Sequence, residues 1–188
     1  MRLILASRSP RRSELLRTAG IPFTLRATGV EEIRRDGESA IDYVQRLACE
    51  KADAAWHSDD EIVLGADTVV VLDNQVLEKP RDADDARAML RALSGQTHTV
   101  ITGICLRYAA GTMVDAESTL VRFVKLSDGE IEDYVASGEP MDKAGGYAIQ
   151  GLASKFVDRI EGDYFNVMGL PVAMVYGYLK RVGDAARL

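Results

Sequence analysis

Residues 97–126 read THTVITGICLRYAAGTMVDAESTLVRFVKL. β-branched and apolar residues dominate on both sides of Ala110-Gly111, and that pair is the natural turn. Two long strands, Thr97–Tyr108 and residues 113–126, joined this closely are expected to pair antiparallel. A mixed sheet is therefore expected in preference to a pure doubly wound parallel one.

The flanking sequence supplies the rest of an α/β fold. Residues 2–6 are a short apolar run, read as a buried strand. Ser9 then Pro10 reads as N-cap and first helical position, with Leu15, Leu16 and Ala19 inward and Gly20 as stop. Phe23, Leu25 and Ala27 alternate like a second strand. Ser39 opens a helix that carries Ile41, Val44, Leu47, Ala48 and Ala52. Residues 62–72 are strongly β-forming and lead into a turn at Asp73-Asn74-Gln75. Asp82 or Asp84 begins a third helix with Met89, Leu90 and Leu93 inward. Ser127 and Glu130 form a capping box for a helix over 128–136. Residues 138–151 are glycine-rich and read as a loop, residues 157–160 as a strand, and Pro171 as the start of a last helix running through Val182.

The chain has 188 residues, 47% hydrophobic and 28% charged. That suits one domain over 1–188, with room for two lobes around a cleft. No apolar run is long enough to span a membrane, and residues 1–6 are too short for a signal-peptide core, so a cytosolic protein with no membrane partner is expected. Cys49 and Cys105 stand among apolar neighbours without metal-ligand spacing, and both read as buried free thiols. Net charge is −6, which argues against a nucleic-acid partner. Residues 1–35, however, carry eight arginines against three glutamates, which suits a local anion site.

Five features could carry chemistry. In Ser7-Arg8-Ser9-Pro10-Arg11-Arg12 a strand runs into a polar turn and a helix N-terminus. Free N–H groups, two hydroxyls and two guanidinium groups there favour phosphate; the alternative is a capped surface helix with solvated arginines. Asp67 interrupts an apolar strand, where a carboxylate is costly unless paired or bound to a metal, and Gly65 before it lets another group approach closely; the alternative is an Asp at a bulge or strand end, hydrogen-bonded to backbone. Glu31-Glu32 could share a cation with Asp67, or be a solvated acidic pair. Lys51 and Lys79, the latter aimed by Pro80, could contact phosphate or simply be surface. Gln150, in a glycine-flanked turn, could read a base edge because an amide both donates and accepts. Neither His57 nor His98 has a partner pattern, so covalent catalysis is not expected.

Taken in order, Leu5-Ala-Ser-Arg-Ser-Pro-Arg-Arg12, Leu64-Gly-Ala-Asp-Thr68, Glu78-Lys-Pro80, Leu93-Ser-Gly-Gln-Thr-His98, Asp142-Lys-Ala-Gly145, Tyr147-Ala-Ile-Gln-Gly151 and Gly169-Leu-Pro171 resemble the Maf family of nucleoside triphosphate pyrophosphatases. The resemblance spans nearly the whole chain. It implies an elongated mixed sheet with helices and two lobes around a cleft, like inosine triphosphatases. It implies hydrolysis of a nucleoside triphosphate to monophosphate and pyrophosphate with a divalent cation, Mg²⁺, Mn²⁺ or Co²⁺, and a homodimer as the family-based guess. The family's catalytic aspartate falls on Asp67, and its other polar cleft residues fall on Ser7, Arg12, Glu32, Lys51 and Lys79. Asp67 and Glu32 would place the metal. Arg11, Thr68 and Gln150 match the subgroup that acts on dTTP and UTP rather than the one that acts on 7-methyl-GTP. The resemblance also permits a nucleotide-binding regulator of septation, and the N-terminal loop with Asp67 would suit a nucleotidyltransferase. A pure binder has no use for a costly carboxylate beside phosphates, and a transferase needs a second substrate.

Overall fold

The computed structural model describes residues 1–185. In chain order the elements are β1 (Arg2–Ala6), α1 (Pro10–Thr18), β2 (Thr24–Leu25), α2 (Ala40–Ala55), β3 (Glu61–Leu72), β4 (Gln75–Leu77), α3 (Ala83–Leu93), β5 (Thr97–Tyr108), β6 (Gly111–Phe123) and α4 (Asp128–Ala136). Short 3-10 helices follow at Glu139–Asp142, Ala144–Gly146 and Leu152–Phe156, then β7 (Val157–Glu161), α5 (Tyr164–Val167) and α6 (Val172–Ala185). Six strands run in the order β2-β1-β3-β5-β6-β7, and β4 adds to β3. β1 is parallel to β2 and β3, whereas β4 and β7 are antiparallel to β3 and β6. The sheet is therefore mixed, as residues 97–126 led us to expect. No helix among the described residues is long and apolar enough to cross a membrane.

Local chemistry explains the element ends. Ser39 accepts from the Asp42 N–H to cap α2, and Asp82 rather than Asp84 caps α3 by accepting from Asp85. Ser127 and Glu130 complete the capping box of α4. Asp73 and Asn74 both adopt positive φ, the turn that lets β3 fold back onto β4. Ala19, expected inward, is exposed just past the end of α1, and three element ends also differ from expectation. The β5–β6 turn is Ala109-Ala110, and β6 ends at Phe123 because the Val124 N–H turns to the Phe156 carbonyl. β2 shrinks to two residues with Leu25 exposed; just past it the Arg26 N–H donates to the Leu5 carbonyl at 3.0 Å and its guanidinium to the buried Glu61 carboxylate at 2.8 Å. Ser9 holds the N-cap position of α1, but its side chain caps nothing; its own N–H donates to Ser7 Oγ at 3.1 Å.

The chain packs into two compact units. The first comprises Met1–Asp67, Thr102–Glu117 and the chain from Gly169, and the second Thr68–Ile101 and Ser118–Met168. In the first, Ile4, Ala6, Val63 and Cys105 pack on Ala48, Ala52 and Ala55 of α2. The contact is backbone on backbone: a Cβ at Gly65 would stand 1.9 Å from the Ala48 carbonyl oxygen, and one at Gly103 2.5 Å from the Val44 carbonyl. Only glycine fits there. Cys105 is buried as expected, but Cys49 is only half-buried, since it lies one position off the inward stripe of α2.

In the second unit, Val70, Leu90, Leu93, Val100, Phe123, Tyr134, Tyr147 and Phe156 belong to one core. Phe123 meets Tyr147 edge-on at 4.8 Å between ring centres, and Tyr134 meets Phe156 at 5.4 Å. His98 lies inside this cluster with Nε2 2.7 Å from the Tyr147 hydroxyl, and burial pushes its pKa down to about 4. The glycine-rich segment is a loop tightened by 3-10 turns, and part of it is buried. Residues 145–149 are buried, with the Gly145 N–H on the Glu78 carbonyl and its α-carbon against Val70, so this backbone is part of the core.

Candidate active site

The first unit gathers five of the sequence-selected residues. Parallel pairing sets Ala6 opposite Gly65, so Ser7, just beyond β1, stands beside Ala66 and Asp67. Pro10 starts α1 three residues later, and its first turn carries Arg12 inward. The Arg12 guanidinium is buried. Nε donates to the Gly169 carbonyl at 2.7 Å, and Nη1 donates to the Ala66 carbonyl at 2.9 Å and Ser7 Oγ at 3.3 Å. Burial lowers its pKa, against the pull of Asp67 and Glu32, but an arginine retains its proton throughout the working range.

Lys51 projects from the inward face of α2, and its Nζ bridges two carboxylates. It donates to Asp67 Oδ1 at 2.7 Å and to Glu32 Oε1 at 2.6 Å. Lys51 and Asp67 are both buried, whereas Glu32 is exposed. Burial is the dominant influence on Asp67 and raises its pKa; Lys51 and Arg12 oppose the rise and Glu32 adds to it. A carboxylate made more basic, beside two fixed cations, suits proton abstraction next to bound anions.

Glu32 rides on an irregular segment between β2 and α2, which Arg46 of α2 holds in place. Its Nε and Nη2 donate to the Glu38 carboxylate at 2.6 and 2.8 Å, and Nη2 also reaches the Ile33 carbonyl at 3.0 Å, next to Glu32 itself. Arg46 in turn holds Glu38 well below its ordinary pKa, at about 2. Arg46 was not selected from the sequence, because an eight-residue spacing from Glu38 is no local pattern. The Gly169 carbonyl was also missed as a partner of Arg12, although Gly169-Leu-Pro171 had been noted as a motif.

The other four expected residues stand as follows. Arg11 is half-buried on α1 next to Arg12. Thr68, half-buried on β3 directly after Asp67, opens the second unit. Lys79 is exposed just ahead of buried Pro80. Gln150 is exposed in a turn closed by the Gly151 N–H on the Ala148 carbonyl at 3.0 Å. A divalent cation can be tested against the donor set of the first unit. No cluster of three or more His, Cys, Asp or Glu gathers among the described residues. Glu32 and Asp67 nevertheless offer two hard oxygen ligands that already converge on a cation, the Lys51 ammonium. Two carboxylates, with phosphate oxygens and water for the rest, are the usual protein share of a Mg²⁺ site, so the residues fit.

With this geometry in view, the chain belongs to the family of Maf-like proteins, whose profile matches residues 2–182. It is 53% identical over 184 residues, 97% of this chain and 95% of the relative, to a dTTP/UTP pyrophosphatase of Koribacter versatilis (strain Ellin345). It is equally identical, 53% over 180 residues and 95% and 91% of the two chains, to a dTTP/UTP pyrophosphatase of Shigella dysenteriae serotype 1 (strain Sd197). Among solved structures it is similar to the Staphylococcus aureus Ham1 protein, with 12% identity and a TM-score of 0.47 over 65% of this chain and 72% of that one.

Proposed function

We propose that this chain hydrolyses dTTP and UTP to the monophosphate and pyrophosphate. The observation that carries the reading is the buried Asp67, made more basic by burial and bridged through Lys51 to Glu32, with Arg12 within its field. It stands in a chain that is half identical, over nearly its full length, to relatives named for this activity.

In this reading Asp67 takes a proton from a water that attacks the α-phosphorus. The water oxygen bonds to phosphorus, the bond to the bridging oxygen breaks, and pyrophosphate leaves with the electron pair. Arg12 and Lys51 stabilise the charge that builds on the phosphate oxygens, and Lys79 is assigned to phosphate binding by the family resemblance alone. Ser7 and the N–H groups at the start of α1 orient a phosphate. Glu32 and Asp67 would hold a divalent cation, which when bound screens the charge of the triphosphate. Arg11, Thr68 and Gln150 are assigned to nucleotide choice. Uracil and thymine present an N3–H donor beside carbonyl acceptors, and one amide matches both.

The test is a panel of nucleoside triphosphates with Mg²⁺ or Mn²⁺, scored for products. Monophosphate and pyrophosphate from dTTP and UTP are expected. Release of orthophosphate with a diphosphate would place cleavage at the wrong bond and overturn the reading. A nucleotide-binding regulator without turnover is disfavoured by Asp67 itself, since a binder of phosphates gains nothing from a buried carboxylate.

A further inference from the structure

An amide alone cannot choose uracil over cytosine. Half a turn of the carboxamide exchanges its oxygen and its NH₂, and cytosine offers an amino donor beside a ring-nitrogen acceptor where uracil offers the reverse. Whatever group holds the amide in one orientation, Gln150 can meet a base edge only if the backbone that carries it is fixed. The second unit holds such a fixture, built from Tyr134 and Glu139.

Tyr134 lies on α4 with its side chain buried. Its hydroxyl donates to Glu139 Oε1 at 2.9 Å and accepts from the Ala148 N–H at 3.2 Å. The second carboxylate oxygen, Oε2, accepts from the Leu152 N–H at 3.1 Å. The two anchors thus fall two residues to either side of Gln150. Between them the Ala148 carbonyl and Gly151 N–H close the turn, with Ile149 buried and Gln150 exposed at its centre. The Glu139 carboxylate seals the far side: a Cβ at Gly151 would stand 2.3 Å from Oε1. A turn tied at both ends, with one central side chain locked in the core, fixes the direction in which the other leaves. Burial also raises the Tyr134 pKa, which keeps the hydroxyl a donor.

We propose that Tyr134 and Glu139 are specificity-positioning residues: together they hold residues 148–152 so that Gln150 meets the base edge of uracil or thymine. This rests on Gln150 as the base reader. A role in folding alone would lower stability and leave base preference untouched, so preference is the quantity to measure.

The experiment compares kcat/KM for UTP and CTP, with urea midpoints, in the intact chain and in Glu139→Ala, Glu139→Gln, Tyr134→Phe and Gln150→Ala. The UTP-to-CTP ratio is expected to fall about tenfold or more in Glu139→Ala and Tyr134→Phe, through loss on UTP. Glu139→Gln retains one acceptor and should recover part of the ratio. A ratio that falls in Gln150→Ala but holds in the Tyr134 and Glu139 variants would overturn the positioning role while sparing the reader. A ratio unchanged in Gln150→Ala would remove the reader, and the proposal with it. If Glu139→Ala does not fold, Glu139→Gln and Tyr134→Phe decide.

Discussion

Gly65→Ala offers a direct trial of how the site is built. The new methyl would stand 1.9 Å from the Ala48 carbonyl oxygen and 2.9 Å from the Ala52 nitrogen. A carbon and a carbonyl oxygen sit no closer than about 3.3 Å without strain, so α2 must retreat by roughly 1.4 Å. Lys51 lies on the same turn, between Ala48 and Ala52. A retreat carried through in full would take its Nζ from 2.7 Å to roughly 4 Å from Asp67, outside hydrogen-bond range. The overpacking should cost about 1–3 kcal/mol, roughly 3–9 °C in Tm for a chain of this length. The misplacement should cost on the order of 10²-fold in kcat/KM. Gly103→Ala is the control. Its methyl would meet the Val44 carbonyl at 2.5 Å on the same helix, but nearly two turns from Lys51. Both variants should lose stability, and only Gly65→Ala should lose most of its turnover when pyrophosphate release from UTP is measured well below both melting points. Full activity in a destabilised Gly65→Ala would refute the claim that the α2–β3 distance sets the site. Equal losses in both variants would show that the activity tracks general packing.

Asp67→Asn should lower turnover by about 10²–10⁴-fold with circular dichroism unchanged, and near-normal rates would remove Asp67 as the base. His98, neutral and buried with its pKa at about 4 against an ordinary 6.5, makes the folded chain bind fewer protons than the unfolded one between those values. Stability should therefore fall as pH drops from about 6.5 toward 4, by up to about 1.4 kcal/mol per pH unit from this group. Urea midpoints at pH 7, 6 and 5 should slope less steeply in His98→Gln, and an identical slope would assign the acid sensitivity elsewhere. Arg46→Met should free the segment that carries Glu32, seen as faster tryptic cleavage after Arg34 and Arg35 together with lower turnover; unchanged cleavage would show that the segment holds itself.

Much of this was legible in the sequence where the cause is local. Caps at Ser39 and Ser127 and the turn at Asp73-Asn74 are settled by residues three or fewer apart. Asp67 was conspicuous because a carboxylate in an apolar strand needs a partner, and Lys51 is that partner. Lys51 looked weak by itself, yet it follows Leu47 by four residues and Ala48 by three, so helical periodicity already turned it inward. What the sequence hid follows no short local pattern. Gly65 announced a close approach without saying that the helix backbone made it. The Tyr134–Glu139 pair, Arg46 with Glu38, and Arg12 with Gly169 join groups that no short pattern relates. The segment 138–151 turns where its glycines suggest, with Gly138, Gly145 and Gly146 at positive φ, but Gly145 and Gly151 also pack closely against Val70 and Glu139, which no loop signal announces.

The bond from Arg12 to the Gly169 carbonyl spans 157 residues. During synthesis the guanidinium therefore lacks one of its acceptors until residue 169 has been added. A nascent or truncated chain that lacks residue 169 would carry every side chain of the Asp67 cluster and still lack one of the three acceptors that orient Arg12, so the cluster should be fully ordered only once residue 169 is in place.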